Sequence, residues 1–293
     1  MSQERTIIAF DYAIKTVLRE KANFVILEGF LSELLKSNVK VLELLESERT
    51  ADDETFKTNR VDLKAKIDDG EIVIFEIQVF TQVDFFGKLL FDVSKAVVEQ
   101  VSIGEKYDIK KIYMIGIAYF NLHVKQDYLF RAKLSGFEGS IYKETIPFSQ
   151  TYGLTPRGEA SDIHPEYYLI LPNMIDEQIR NKFDEWIYTL KKSVVKSNFS
   201  AAGLQEAVVK LDMLKMLESD RRGYEKYLRN KTDDATVIKT YRDEGKEEGI
   251  EIGKEIGKAE GKADERQNLL TLIEKGYTLE EIKKILSEDK FST

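Results

Sequence analysis

Apolar residues recur at helical spacing over residues 13–18 and again over 23–35, where Phe24, Leu27, Leu31, Leu34 and Leu35 share one face, so two helices are predicted near the start of the chain. Residues 39–45 (VKVLELL) then read as a short strand, and the polar stretch 46–59 as a loop. The pattern next changes period. Residues 61–67 (VDLKAKI) alternate strictly, residues 71–80 (EIVIFEIQVF) are rich in β-branched and aromatic side chains, and Asp68-Asp69-Gly70 lies between them, which predicts a hairpin. A long helix is expected over 85–107 and a strand buried on both faces over 112–120 (IYMIGIAYF). A helix that returns to a buried strand beside the previous one is a βαβ crossover, so the sheet should be mixed. Further strands are expected within 138–152 and 166–171, and helices over 176–197 and 204–218. In the first of these helices Trp186, Phe183, Ile187 and Leu190 form a core stripe.

The hairpin admits two registers with different consequences. A two-residue Asp69-Gly70 turn would pair Asp68 with Glu71 and put Asp62 and Glu76 on opposite sides of the sheet. A three-residue loop, with glycine as a left-handed bulge, pairs Ile67 with Glu71 instead. Only the second register lays Val61, Leu63, Ala65 and Ile67 beside Val73, Phe75, Ile77 and Val79. A slip of one residue would move a whole apolar set to the wrong face, so burial should select the longer loop. Asp62 then falls opposite Glu76, with Gln78 next on the same face.

Composition narrows the chemistry open to such a pair. The chain has 293 residues, 42% of them hydrophobic, enough for one sizeable core and an accessory region. It has no cysteine, which removes thiol nucleophiles and zinc ribbons. Its two histidines, His123 and His164, read as surface or loop residues and are too few for a histidine-rich zinc site. Any metal chemistry must rest on carboxylates. The net charge of −8 argues against a protein that coats nucleic acid through bulk electrostatics, but local lysines can still guide a phosphate backbone. Residues 1–10 lack the pattern of a signal peptide, and no window approaches the roughly 18 unbroken apolar residues of a membrane span, so a soluble cytoplasmic protein without a membrane partner is expected.

Two carboxylates at cross-strand distance repel each other, and Glu76 lies in a run that should be buried, where an ionised acid needs a cation, a proton or several hydrogen bonds. A hard divalent ion such as Mg²⁺ suits oxygen donors and could activate water against a phosphodiester. Asp62…Glu76-Ile77-Gln78 on a hairpin, after a helical start and before a long helix and a buried strand, resembles the PD-(D/E)XK nuclease superfamily. Phe10-Asp11-Tyr12-Ala13-Ile14-Lys15, Arg60-Val61-Asp62, Glu76-Ile77-Gln78 and the glycine-period tail are more closely similar to its recombination-promoting nuclease branch, related to transposases. The resemblance implies an α/β fold, a restriction-endonuclease-like mixed sheet flanked by helices with a C-terminal helical extension. It also implies metal-dependent DNA endonuclease action with Mg²⁺, or alternatively Mn²⁺, as cofactor, linked to recombination or mobile elements. Carried over by position, Asp62 and Glu76 would ligate the metal with the Ile77 carbonyl, and Gln78 stands where the wider superfamily has lysine. A neutral amide orients water but does not offset negative charge, so Lys88 or Lys64 is a candidate substitute, and Asp11, Glu28 or Glu33 a candidate further acid. Asp11 and Lys15, four residues apart, read equally well as a surface ion pair.

Glycines at 245, 249, 253, 257 and 261 give the tail a period of four. In an α-helix each costs about 1 kcal/mol relative to alanine, and four-residue steps advance about 40°, so they trace a slowly winding stripe where another backbone could come close. The expectation is a nuclease domain over 1–200, a helical connector over 201–243, and an arm over 244–293 that pairs with a second copy. Leu269, Leu272, Ile273, Ile282 and Ile285 would form its terminal helical unit. A flexible charged linker is the rival account of the arm. A catalytically weak nuclease-fold binder and an oligomeric scaffold are the rival functions.

Overall fold

The hairpin that should fix the register forms as burial demands. In a computed structural model describing residues 4–45, 62–68, 70–82, 84–101, 107–122, 124, 126–138, 140, 145–147, 160–212 and 217–283, Ile67 pairs with Glu71, Ala65 with Val73 and Leu63 with Phe75. Gly70, at φ +98°, supplies the left-handed backbone of the three-residue loop, and Asp68 is also left-handed at φ +40°. Leu63, Ala65, Ile67, Val73, Phe75 and Ile77 all join one buried cluster, whereas Ile72 and Ile74 join the cluster on the other face.

Around it the chain runs β1 (Glu4–Thr6), α1 (Phe10–Lys15), two 3₁₀ turns (Val17–Arg19 and Lys21–Asn23), α2 (Phe24–Leu35), β2 (Val41–Leu44), β3 (Leu63–Ile67) and β4 (Glu71–Gln78). There follow α3 (Phe85–Val98), β5 (Ile112–Ala118), β6 (Leu129–Lys133), β7 (Gly136–Glu138), β8 (Thr145–Pro147) and β9 (Glu166–Ile170). Then come α4 (Lys182–Lys192), β10 (Val194–Lys196), α5 (Leu204–Lys210) and α6 (Glu218–Glu274). Among the described residues the main sheet has six strands in the order β2-β3-β4-β5-β9-β6, with β4, β5 and β9 parallel to one another and the remaining pairings antiparallel. This is the mixed α/β architecture expected of a PD-(D/E)XK nuclease-like fold, with a long C-terminal helix. The chain divides into two compact units, Met1–Tyr227 and Leu228–Thr293, a boundary inside the stretch read from sequence as a connector.

Helix α3 is the crossover between β4 and β5, and its Phe85, Leu89, Val93 and Ala96 cover Ile72, Ile74, Ile112 and Met114. The other face is covered by α1, α2, α4 and α5, around a fully buried Trp186. Its ring meets Phe30 edge-on at 5.5 Å and Phe10 at 6.2 Å, and its indole N–H donates to the Ala202 carbonyl at 3.1 Å. Gly29 of α2 sits against the same segment: a Cβ there would come 2.2 Å from the Ala202 carbonyl oxygen, so main chain meets main chain only because glycine is present.

Several elements are shorter than their hydrophobic pattern suggests. The helix expected over 85–107 ends at Val98, because the Gln100 side chain donates to the Ala96 and Lys110 carbonyls and accepts the Lys110 N–H, turning the chain toward β5. Residues 102–106 lie outside the described residues. The helix expected over 176–197 is confined to α4. Asn181 caps its start by accepting from the Phe183 and Asp184 N–H groups, and Ser193, at φ +52°, ends it. The chain beyond becomes β10 and pairs with β1, a pairing between distant segments that local pattern does not announce. Likewise α5 stops at Lys210, after which Leu211 accepts from the Ile8 N–H. Of the strand expected within 138–152, Glu138 ends β7 and residues 145–147 form its partner β8, while β6 lies outside the strands the pattern predicts. The predicted loop at 46–59 and His123 also fall outside the described residues.

The opening turns of α6 are fastened to α1. Tyr224 accepts the Ala9 N–H at 3.0 Å, Tyr227 donates to the buried carboxylate of Asp11, and the Tyr12 ring lies 5.1 Å from both tyrosine rings. Farther along, α6 continues through the glycine-period stretch to Glu274 without interruption. There Ile250, Ile252 and Ile256 are exposed, each by about half.

Candidate active site

Glu76 occupies the middle strand of the antiparallel-to-parallel junction, with β3 on one side and β5 on the other. It is 4% exposed and stands beside Gly116 of β5, where a Cβ would crowd Leu89 at 3.1 Å and Phe85 at 3.3 Å. The bare glycine thus lets α3 approach the sheet closely next to the acid. From α3, Lys88 reaches over to pair with Glu76, and its ammonium lies 3.4 Å from the equally buried Asp92, one turn farther on.

Asp62 precedes β3, and the register places it opposite Glu76. Its Oδ2 accepts the Ile77 N–H at 2.8 Å, continuing by side chain the ladder beyond Leu63. Its Oδ1 lies 2.9 Å from Lys15 Nζ of α1, and its carbonyl accepts from Arg19 at 2.7 Å. Main chain and α1 therefore hold this acid at the edge of β4.

Electrostatics tie the two acids together. Burial, and then the neighbouring Asp62 charge, push the Glu76 carboxyl up to about 7 against the opposing pull of Lys88. Asp92 is raised as well, chiefly by burial. Because folded Glu76 holds its proton more tightly than the unfolded chain, whose carboxyl titrates near 4.5, the unfolded state binds fewer protons between those values, and stability falls as pH rises through that window. Relative to Glu76→Gln, the metal-free protein should lose about 2 kcal/mol between pH 5 and pH 7.5 in urea denaturation with EDTA. A difference between the two proteins that is constant with pH would contradict the assignment.

The sequence-derived residues separate clearly. Asp62, Glu76 and Lys88 come together, and Gln78 ends β4 two positions beyond Glu76. Lys64 turns away to pair with Glu99 at the far end of α3. Of the candidate further acids, Asp11 is taken by Tyr227, Glu28 accepts the Val41 N–H and the Lys40 ammonium, each at 3.0 Å, and Glu33 lies half-buried on α2. Lys15 pairs with Asp62 across the fold, and Asp11, the other member of the ion pair considered within α1, is buried. Asp92 was missed, although its spacing of four from Lys88 on a predicted helix was a usable signal. Among the described residues no group of three or more acidic or histidine side chains is placed to hold a metal. The donors proposed from the sequence, Asp62, Glu76 and the Ile77 carbonyl, all offer oxygen. That all-oxygen set fits Mg²⁺, which keeps several waters, better than zinc. A buried acid whose ionisation is opposed by burial and a neighbouring carboxylate also suits a cation physically.

A mixed sheet with this acid pair beside the hairpin is the arrangement that the resemblance to the PD-(D/E)XK nucleases implies. Residues 8–145 match the family model described as PD-(D/E)XK nuclease family transposase, which bears out the resemblance over that stretch and supports a nuclease-type hydrolase. No curated protein and no solved structure matches the chain. Among the described residues no helix is long and apolar enough to cross a membrane.

Proposed function

We propose that this protein is a metal-dependent endonuclease that hydrolyses DNA phosphodiesters in recombination or the movement of mobile elements. The observation that carries the reading is the pairing of buried Glu76 with Asp62 at the edge of β4. Asp62, Glu76 and the Ile77 carbonyl would hold Mg²⁺ or Mn²⁺. The bound ion would supply Lewis-acid polarisation of the phosphate and a more acidic water. Gln78 would orient the attacking water through its amide, and Lys88 would offset the negative charge that gathers on the phosphate as the leaving oxygen departs. The domain at 1–200 would supply the residues of this chemistry. The connector at 201–243 would lead to the arm at 244–293, through which copies of the chain would associate.

Gln78 supports one rival, a protein that binds DNA on the same fold with weak or no turnover, since an amide replaces the charged residue of the superfamily. Supercoiled plasmid incubated with the protein separates the two. Nicked product in Mg²⁺ or Mn²⁺, and none in EDTA, is expected. Plasmid that is bound yet stays intact with both metals would favour the rival.

A further inference from the structure

On the α3 face of the sheet, Lys64 and Lys66 follow Asp62 along β3 at two and four residues, about 7 and 13 Å away at about 3.3 Å per residue. They lead to a pocket of about 870 Å³ between the β3–β4 hairpin and the C-terminal end of α3. Apolar Leu45, Ile72 and Ala96 line it together with Lys64, Lys66 and Lys110. The acids there are Glu99, already paired with Lys64, and the exposed Asp108. Lys66 meets Glu43 at 3.4 Å with both side chains largely solvated, a weak hold, and Lys110 has no ion pair among the described residues. The Lys110 main chain is held by Gln100, which accepts from its N–H at 2.7 Å and donates to its carbonyl at 3.3 Å. The bare Gly70 lets the stems of Lys66 and Lys110 pass close together, within 3.3 and 3.4 Å of where a Cβ would stand.

We infer that this pocket seats a nucleotide of a single strand flanking the cut, its base on Leu45, Ile72 and Ala96 and its phosphates on Lys66 and Lys110. The direction of the strand rests on the proposed nucleolytic centre at Asp62 and Glu76; the pocket itself does not. A lining that mixes apolar side chains with lysines matches a base with its phosphate, and a base within a duplex could not enter without leaving the stack. In a chain of net charge −8 such binding needs a local cluster of this kind, since the bulk field opposes it.

The test is fluorescence anisotropy of a labelled single-stranded 12-mer with the full-length protein in EDTA, so that no cleavage intervenes. Lys66→Gln/Lys110→Gln should weaken binding about tenfold or more and lower the salt slope by about 1.4, at about 0.7 per phosphate contact for single strands. Lys133→Gln, on the exposed β6, should leave both unchanged. Wild-type affinity and slope in the double variant would overturn the inference. So would displacement of the 12-mer by AMP at equal concentration, which would mark a site for free nucleotides. Nicking with no effect of the lysines sinks the pocket and spares the nuclease reading; a lysine effect without nicking does the reverse.

Discussion

Glu76→Gln and Asp62→Asn are each expected to lower metal-dependent plasmid nicking by about 10³-fold or more. Both replacements keep volume and remove charge, so they separate the loss of a ligand from the loss of the fold. The size follows from the role. A metal ion contributes several kcal/mol to stabilising charge at the transferring phosphate, and about 4 kcal/mol corresponds to a thousandfold in rate. Neither change should unfold the protein: Asp62→Asn keeps an oxygen for the Ile77 N–H, and Glu76→Gln removes a charge that burial already opposes. Lys88→Met should cost less, about 10- to 100-fold, because it touches charge balance and leaves both acids in place. Full nicking by either acid variant, with its circular dichroism unchanged, would remove these residues from the chemistry.

The largest effect on stability is expected at Trp186. Trp186→Ala deletes a fully buried indole that packs against Phe10 and Phe30 at the meeting of α1, α2 and α4, a class of change that costs about 3–5 kcal/mol. It also takes the donor from the Ala202 carbonyl, so a value at the upper end of that range is expected from urea denaturation of the first unit. Trp186→Phe should recover most of the packing and leave the deficit of one hydrogen bond, about 1 kcal/mol. Equal losses in the two variants would place the energy in the hydrogen bond and not in the ring.

The sequence was most readable where burial alone decides the outcome. The hairpin register followed from the need to keep Leu63, Ala65 and Ile67 on the face of Val73, Phe75 and Ile77, and that choice brought Asp62 opposite Glu76. The parallel β4–β5 pairing followed equally from an apolar strand after a helix. Less visible were features set by single side chains reaching across the fold. Gln100 ends α3 by bonding to a segment ten residues on, Asn181 and Asp184 start α4 six positions later than its pattern suggests, and β10 exists because β1 lies beside it. The same holds at the site. Lys15 and Asp62 are 47 positions apart, and no local spacing signals their contact, whereas Asp92 and Lys88 share a helix face and could have been found.

The fastening of α6 to α1 bears on where the catalytic body can be cut. Tyr224 and Tyr227 grip Ala9 and Asp11, and one turn farther along the same short helix Lys15 steadies Asp62. A fragment ending at residue 200, the domain edge expected from the sequence, would retain Asp62 and Glu76 yet lose the grip on the helix that positions one of them. A minimal fragment that keeps the proposed activity is therefore expected to extend through Tyr227, with the first turns of the long helix as its closing brace.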